Sequence, residues 1–238
     1  MNTAIKYGLL ISIGFGLFIS EQVLAAAEDD PLLTKIMVNQ LEWREAEGDN
    51  PIAWDTQAWV GKDLHKLWLK SEGEYTDGNT EESELQLLYS RAVAPFWDFQ
   101  AGWRSDLESG PERHWLALGF QGLAPYYFET EPFLFLGEHG QIELRLEAEY
   151  EVLFTQHLVL TPEIEISAFS KNDEAVGVGS GLSEAEFSLR LRYEIRREFA
   201  PYIGINWWRK YGKTADFARE EGEETDDVNL VVGVRMWF

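Results

Sequence analysis

The sequence predicts an all-β protein, a transmembrane antiparallel up-and-down β-barrel of about twelve strands. Many of its segments alternate between apolar and polar residues, and this alternation places the two sets on opposite faces of a strand. The connections alternate between short turns and longer polar loops, as in outer-membrane barrels. The chain also has ten tryptophans and nine tyrosines, side chains that collect where a membrane meets water.

The first 27 residues have the layout of a secretory signal peptide. Lys6 supplies a short basic region, an apolar run follows, and the small-residue stretch VLAAA comes next. This layout predicts cleavage after Ala25 or Ala27, so that residues 28–238 form the barrel as one domain. The alternative is an uncleaved anchor, but the apolar run is shorter than the roughly 20 residues that span a bilayer.

The composition excludes some partners. The formal net charge is −22, with 42 acidic and 20 basic residues. Nucleic acid is therefore excluded, because phosphate binding needs a basic surface. The chain has no cysteine, so disulfides do not stabilise it after export. Disorder is the alternative interpretation of so much charge, but a hydrophobic content of 45% argues against it.

The clearest strand is QIELRLEAEYEV at 141–152, whose apolar residues fall on one face and whose charged residues, with Glu147 and Glu149, fall on the other. LTPEIEISAF at 160–169 repeats the pattern with Glu163 and Glu165. A soluble β-sandwich is the alternative, since one amphipathic strand fits both folds. The remaining predicted strands lie at 82–90 and 183–196, near 33–45, 52–61, 66–75, 97–106, 113–123, 126–136 and 201–211, and at the C-terminus. We expect no helical segment after Ala27.

The short turns carry a repeated signal, VAPFWDF, LAPYYFE and FAPYIGI. Proline fixes a turn without removing a ladder hydrogen bond at a strand start. This repeat predicts that Phe96, Tyr126 and Tyr202 lie at one level as an aromatic girdle. An even number of strands also places both chain ends on the short-turn side.

The last segment, NLVVGVRMWF, predicts a closing strand that pairs with the first one, because only a closed barrel satisfies every backbone group in lipid. Its aromatic last residue, Phe238, resembles the terminal signal that outer-membrane assembly machinery recognises. By parity, Met37 and Met236 point outward, towards lipid rather than metal.

The polar strand faces line the lumen, and two interpretations of their charges remain open. Charges of both signs favour a salt-bridged, closed interior, whereas the excess of acid favours a cation-selective path. Glu147, Glu149, Glu163 and Glu165 are the candidate metal residues. They lie on consecutive strands joined by a turn near 154–158, where like charges repel unless a cation intervenes.

Other chemistry is sparse. No pair of the four histidines has the spacing of a transition-metal motif, and His139, beside Glu138 in an outer loop, is the best single candidate for a metal contact. Ser105 and His114 could lie near each other across one loop. No third member of a catalytic triad follows, so we predict no enzyme and no catalytic residues.

Long stretches of the chain resemble the copper-resistance protein B family. They include DDPLLTKIMVNQLEWR, LLYSRAVAPFWDFQAGWR and GVGSGLSEAEFSLRLRYEIRREFAPYIGINWWRKYGKTADFAR, and the resemblance covers nearly the whole mature chain. It implies an outer-membrane protein of copper tolerance that binds or passes copper ions and works beside a periplasmic multicopper oxidase. The alternative is a general channel or structural barrel without copper specificity.

One departure from the family concerns the copper ligands. Members often carry a Met- and His-rich region before the barrel, and thioether and imidazole ligands suit copper. The segment from Glu28 to Leu33 has neither residue, and the chain has three methionines in all. The resemblance therefore implies copper as the metal without assigning a ligand.

Overall fold

The computed structural model describes residues 30–46, 50–76, 79–107 and 112–238. These residues form one closed antiparallel sheet, and the predicted signal peptide lies outside them. The strand segments are β1 (Leu33–Glu45), β2 (Ile52–Gly61), β3 (His65–Thr76), β4 (Asn79–Ala94), β5 (Trp97–Asp106), β6 (Arg113–Ala124), β7 (Phe128–Gly137), β8 (Ile142–Glu149), β9 (Val152–Leu153), β10 (Leu158–Phe169), β11 (Gly181–Tyr193), β12 (Phe199–Lys210) and β13 (Asp226–Trp237). Both β8 and β9 pair with β10 and form one barrel strand, so the barrel has twelve strands, as predicted.

The first and last strands close the ring. β1 pairs antiparallel with both β2 and β13. Beyond the end of β13, the N–H of Phe238 donates to the carbonyl of Ile36 at 2.8 Å, and the N–H of Ile36 donates to the carbonyl of Phe238 at 3.0 Å. Closure leaves no open sheet edge, which is the condition for a sheet to exist in lipid. The predicted pairing of the last strand with the first is confirmed.

The two rims of the barrel differ, as the alternating connections predict. The short-turn rim holds the turns at 62–64, 95–96, 125–127, 154–157 and 194–198, together with residues 30–32. The loop rim holds the turn at 138–140 and the longer loops at 170–180 and 211–225. The loop 211–225 contains one α-helix, α1 (Gly212–Glu221), which ends at Gly222 with a φ of 82°.

The expectation of no helix after Ala27 is therefore wrong. α1 lies outside the sheet, where period-two alternation does not apply, and it buries Thr214, Ala215 and Ala218 at the loop-rim end of β11. Among the described residues, no helix is both long enough and apolar enough to cross a membrane.

The outward face of the barrel is apolar. Leu144 is 57% exposed, Ile203 is 61% exposed and Val232 is 53% exposed, and similar side chains surround the sheet. Exposed apolar area on this scale needs an apolar partner, and an outward apolar band is what a lipid bilayer covers in barrels of this type.

A bulge in β1 changes which side chains face inward. The register between β1 and β2 shifts between Val38 and Gln40, and one extra residue exchanges the two faces of a strand. Met37 therefore packs against an interior aromatic cluster that includes Trp68 and Phe133. The prediction that Met37 points outward is wrong. On β13, Arg235 reaches lumen carboxylates, so its neighbour Met236 falls on the outward face.

The predicted aromatic girdle holds for two of its three members. Phe96 is 76% exposed and Tyr126 is 84% exposed, and both lie in turns of the short-turn rim with positive φ. Tyr202 is only 4% exposed, so its assignment to the girdle is wrong. The third Ala-Pro pair lies inside β12 rather than in a turn, and the tyrosine after it follows strand parity into the lumen.

Replacing Phe238 with Asp is expected to reduce the folded fraction of the protein. The side chain is 72% exposed beside the exposed Ile36, and a charge on the lipid-facing side of a barrel costs up to a few kcal/mol, depending on depth. The measurement is the fraction of unheated protein that migrates faster than boiled protein on a denaturing gel. Phe238→Leu is the control, and equal folded fractions in the two variants would contradict the closing role of this residue.

Candidate functional site in the barrel lumen

Two rows of carboxylates cross neighbouring strands on the inner wall, one over four strands and the other over three. The first row consists of Glu131, Glu147, Glu165 and Glu186, and the second of Glu129, Glu149 and Glu163, each residue directly opposite the next. The predicted adjacency is confirmed, because Glu149 pairs with Glu163 and Glu147 pairs with Glu165. Like charges directly opposite each other destabilise a sheet, so these rows need positive partners.

Arg145 of β8 pairs with Glu165 of the first row and with three further lumen carboxylates. Its guanidinium also stacks over the ring of Phe135, at 5.3 Å from the ring centroid. The four carboxylates that it contacts are Glu72 at 2.8 Å, Glu84 at 3.0 Å, Glu143 at 3.1 Å and Glu165 at 3.4 Å. Glu72 and Glu84 lie on β3 and β4, which are not neighbours of β8. These ion pairs therefore cross the lumen.

Arg104 of β5 forms a second crossing contact. It lies 2.7 Å from Glu84 on the adjacent strand β4 and 2.7 Å from Glu143 on β8. In the order of the sheet, β6 and β7 lie between β5 and β8, so the second ion pair crosses the lumen. Glu84 and Glu143 therefore each bind both Arg104 and Arg145. Sharing the carboxylates joins the two arginines into one buried network, in which each charge is compensated by hydrogen-bonded partners.

Arg190 of β11 anchors a separate network on the other side of the barrel. It donates to Glu42 of β1 at 3.0 Å, to Gln40 at 3.0 Å and to Glu163. The hydroxyl of Tyr202 also donates to Glu42 at 2.9 Å, and Glu42 is only 1% exposed. Arg44 Nε also donates to Glu42 at 3.0 Å, so this fully buried carboxylate is held by two guanidinium groups and a phenol.

A glycine makes room for that contact. A Cβ at Gly233 would lie 2.6 Å from the phenol oxygen of Tyr202 and 2.7 Å from the Cβ of Glu42. Any side chain there would displace the tyrosine from its partner. Gly233 therefore leaves the space in which Tyr202 reaches Glu42.

The four candidate carboxylates differ in their partners. Glu163 pairs with Arg190 and Glu165 with Arg145, while Glu149 lies 3.4 Å from Arg235. Glu147 forms no salt bridge with any described residue, although Asp55, Glu131, Glu163 and Glu165 lie within electrostatic range of it. The salt-bridged interpretation of the lumen therefore holds for three of the four, and Glu147 is the one without a salt bridge to a described residue.

A cavity of about 750 Å³ extends from the loop rim into the lumen. Its wall includes Glu147, Glu163 and Glu165, and α1 contributes Thr214 and Ala218 to its outer part. We call this cavity the vestibule. Within the described ranges, no three Asp, Glu or His side chains are arranged to hold a metal ion. The vestibule is thus an acidic aqueous space rather than a preformed chelating site.

His139 lies apart from these carboxylates. It is exposed in the loop-rim turn at 138–140 with a φ of 59°, and its backbone carbonyl accepts a hydrogen bond from Lys171 Nζ at 3.1 Å. Its imidazole therefore does not join the lumen carboxylates. A contact between His139 and a metal stays a prediction that rests on the sequence.

Ser105 and His114 are brought together as predicted. Ser105 Oγ lies 3.1 Å from His114 Nδ1, because the two residues are directly paired across β5 and β6. In the described part of the chain, no carboxylate hydrogen bonds to His114. The pair lacks the third group that orients and polarises the histidine of a hydrolase.

The sequence prediction omitted Asp55 of β2 as a lumen carboxylate. Asp55 lines the vestibule with Glu147 and accepts a hydrogen bond from Asn39 at 2.9 Å. The segment AWDTQAW does alternate, but its outward face carries Thr56 beside Trp54, while Trp59 shares the inward face with Asp55. That weak contrast between the two faces hides which of them is inward.

Comparison with known proteins gives relatives of one family. The family model described as "Copper resistance protein B precursor" matches residues 32–238. The chain is 47% identical over 213 residues to Copper resistance protein B of Escherichia coli, covering 90% of this chain and 72% of that protein. It is also 47% identical over 210 residues to a Copper resistance protein B homolog of Pseudomonas syringae pv. tomato, covering 88% of this chain and 71% of that protein.

Two solved porin structures share the fold. The NanC porin aligns with a TM-score of 0.55 at 11% identity, covering 86% of this chain and 99% of the porin. The KdgM porin aligns with a TM-score of 0.50 at 12% identity, with the same coverage of each chain. At these identities the likeness concerns the barrel fold alone.

Replacing Arg145 with Met is expected to lower the free energy of unfolding by about 3–5 kcal/mol, because removing one partner leaves buried carboxylates uncompensated. The measurement is urea unfolding of the folded barrel, followed by tryptophan fluorescence. Arg91→Met is the matched control, since Arg91 is exposed on β4 and exposed substitutions stay within about 0.5 kcal/mol of the wild type. A loss at Arg145 no larger than that at Arg91 would contradict the role assigned to the network.

Proposed function

The chain belongs to the copper resistance protein B family, and from this premise we propose that it is an outer-membrane barrel of copper homeostasis that passes copper ions through its lumen. Copper is the cargo in this proposal, and the vestibule is the part of the barrel that receives it. The observation that carries the proposal is a lumen wall of adjacent carboxylates in which Glu147 forms no salt bridge with any described residue. Rings of carboxylates favour cations over anions.

The proposal includes a route to the membrane. Residues 1–27 act as a signal peptide that is cleaved near Ala25 or Ala27, and barrel-assembly machinery then inserts residues 28–238. The matching family model describes a precursor, which supports export. The apolar outward face contacts outer-membrane lipid.

The proposed activity is transport rather than catalysis. The Ser105 and His114 pair has no orienting carboxylate within the described ranges, and the vestibule holds acidic side chains rather than an arranged nucleophile. A periplasmic multicopper oxidase is the proposed partner, because a barrel that controls copper at the outer membrane would act on the same periplasmic pool.

A structural barrel without copper specificity is the second candidate. The observation that favours it is the pairing of most lumen charges across the barrel, through Arg104, Arg145 and Arg190. Crossing ion pairs can fill an interior without any transported ion. The two candidate functions predict different copper tolerance when carboxylates outside these ion pairs are replaced by neutral amides.

We expect that cells lacking the gene are more sensitive to copper than to manganese or magnesium, and that the Asp55→Asn/Glu147→Gln variant fails to restore copper tolerance. Neither residue belongs to a salt bridge among the described residues, so the variant removes cation-attracting charge without breaking a crossing pair. The measurement is growth in graded copper, with the folded amount checked on unheated gels.

The matched control is Asp63→Asn/Glu198→Gln, which removes the same charge from exposed positions on the short-turn rim. This control is expected to restore tolerance fully. If the lumen variant also restored tolerance fully, the lumen path would be refuted. Equal sensitivity of the deletion strain to all metals, or to none, would favour the structural barrel.

A further inference from the structure

Lys70 occupies an unusual place in the lumen. It lies on the inner face of β3 and is 8% exposed. Its ammonium donates to Glu131 of β7, across the barrel. It also lies 5.8 Å from the ring centroid of Trp68 and 5.5 Å from that of Phe133. Aromatic faces attract a cation, so these groups form a cage that already holds one positive charge.

A small second cavity lies beside this ammonium. Its volume is about 30 Å³, which is about the volume of one water molecule in the liquid. Its wall includes Asp55, Lys70, Gln86, Glu131 and Glu147, and Arg145, which is paired with Glu84 and Glu143, contributes a second positive charge to it. Asp55 and Glu147 also line the vestibule. The small cavity is therefore adjacent to the inner end of the vestibule, at a point where an ion moving inward meets Lys70.

Oxygen atoms around this cavity lack partners. Gln86 is 7% exposed, and its amide nitrogen donates to Glu84, but its carbonyl oxygen Oε1 is buried with no hydrogen-bond donor within the described structure. Glu147 adds a carboxylate without a salt bridge to any described residue. A buried acceptor without a donor is costly, and a cation would satisfy both groups.

The ligand chemistry of these groups is that of a hard or borderline cation. Carboxylate and amide oxygens bind divalent ions such as Mn²⁺, Mg²⁺ and Ca²⁺. Cu(I) instead prefers thiolate and thioether sulfur, and the chain has no cysteine. A copper ion at this site would therefore be Cu(II), and it would compete with the ammonium of Lys70 for the same oxygens.

We propose that Lys70 is a tethered counter-ion in a divalent-cation site formed by Asp55, Gln86, Glu131 and Glu147. A divalent cation entering from the vestibule displaces the ammonium from the carboxylates, and the ammonium returns when the ion leaves. A monovalent ion carries no more charge than the ammonium and displaces it poorly, so Lys70 favours divalent ions. The assignment of Cu(II) as the natural ion rests on the proposed function, whereas the site itself does not.

The spacing of the carboxylates is the one expected while the ammonium of Lys70 occupies the site. With Lys70 in place, no three acidic side chains of the described structure are close enough together to chelate a metal. A cation that first reaches the site therefore keeps part of its hydration shell, as weakly bound hard cations do. Removing the ammonium should free Glu131 and let the carboxylates converge on the ion.

The test uses Mn²⁺ as the probe and the purified, folded barrel in detergent. Free Mn²⁺ is measured by its electron paramagnetic resonance signal during titration. Lys70→Met is expected to bind Mn²⁺ about tenfold or more tightly than the wild type, because a unit positive charge a few ångströms from the site is gone. Lys70→Arg keeps the charge and is expected to bind Mn²⁺ no more tightly than the wild type.

Lys66→Met is the matched control. Lys66 lies on the same face of the same strand, but its ammonium pairs with Asp98 at 2.9 Å, nearer the short-turn rim. This variant removes the same charge and is expected to leave Mn²⁺ affinity within about twofold of the wild type, since the effect of a charge falls with distance and screening. Adding Asp55→Asn and Glu147→Gln to Lys70→Met should abolish the gained affinity.

A folding failure of Lys70→Met would not end the test. The double variant Lys70→Met/Glu131→Gln removes both members of the ion pair and leaves no unpaired charge, so it replaces the single variant in that case. Unchanged Mn²⁺ affinity in whichever of the two variants folds, or an equal gain in Lys66→Met, would overturn the proposal.

The result is separable from the proposed function. A Mn²⁺ site that responds to Lys70 would stand even if the deletion strain proved tolerant of copper, and that outcome would refute copper transport alone. Conversely, a copper-sensitive deletion strain with no response of Mn²⁺ affinity to Lys70 would refute the counter-ion and leave copper transport standing.

Discussion

The barrel depends on ion pairs that cross its lumen. A closed sheet satisfies its own backbone, but the inward side chains of this one are densely charged, and buried charges are tolerated only when they are paired. Arg145 and Arg190 meet that condition by reaching carboxylates on strands that are not their neighbours. The same contacts hold opposite walls together and leave the vestibule open towards the loop rim.

Small departures from regular strand geometry make those pairs fit. The bulge in β1 lets Met37 face the aromatic cluster on one side of the shift while Glu42 faces Arg190 on the other. Gly233 leaves the space that Tyr202 needs to reach Glu42. Because acid exceeds base in the chain, pairing cannot neutralise every carboxylate, and Glu147 is left beside the vestibule. The acidic wall of the vestibule is thus a consequence of how the interior is filled.

The fold was predictable from the sequence because period-two alternation acts along every strand and does not require knowledge of distant contacts. It gave the twelve strands, the two rims and the adjacency of Glu147 with Glu165. It failed where one residue changes the outcome: the bulge near Val38 reverses the face of Met37, and the strand position of Pro201 turns Tyr202 inward. Which carboxylates find a partner depends on side chains such as Arg235 and Glu149, which are 86 positions apart along the chain, and no local pattern encodes such a pairing.

The proposed transport of copper requires that Cu²⁺ cross a membrane through the acidic lumen. The most direct measurement is the rate at which external Cu²⁺ quenches a copper-sensitive dye trapped inside liposomes that contain the folded barrel. If the lumen passes copper, the quenching rate rises in proportion to the amount of barrel and exceeds the rate of protein-free liposomes. A rate equal to that of protein-free liposomes, with the barrel shown to be folded in the same preparation, would contradict it.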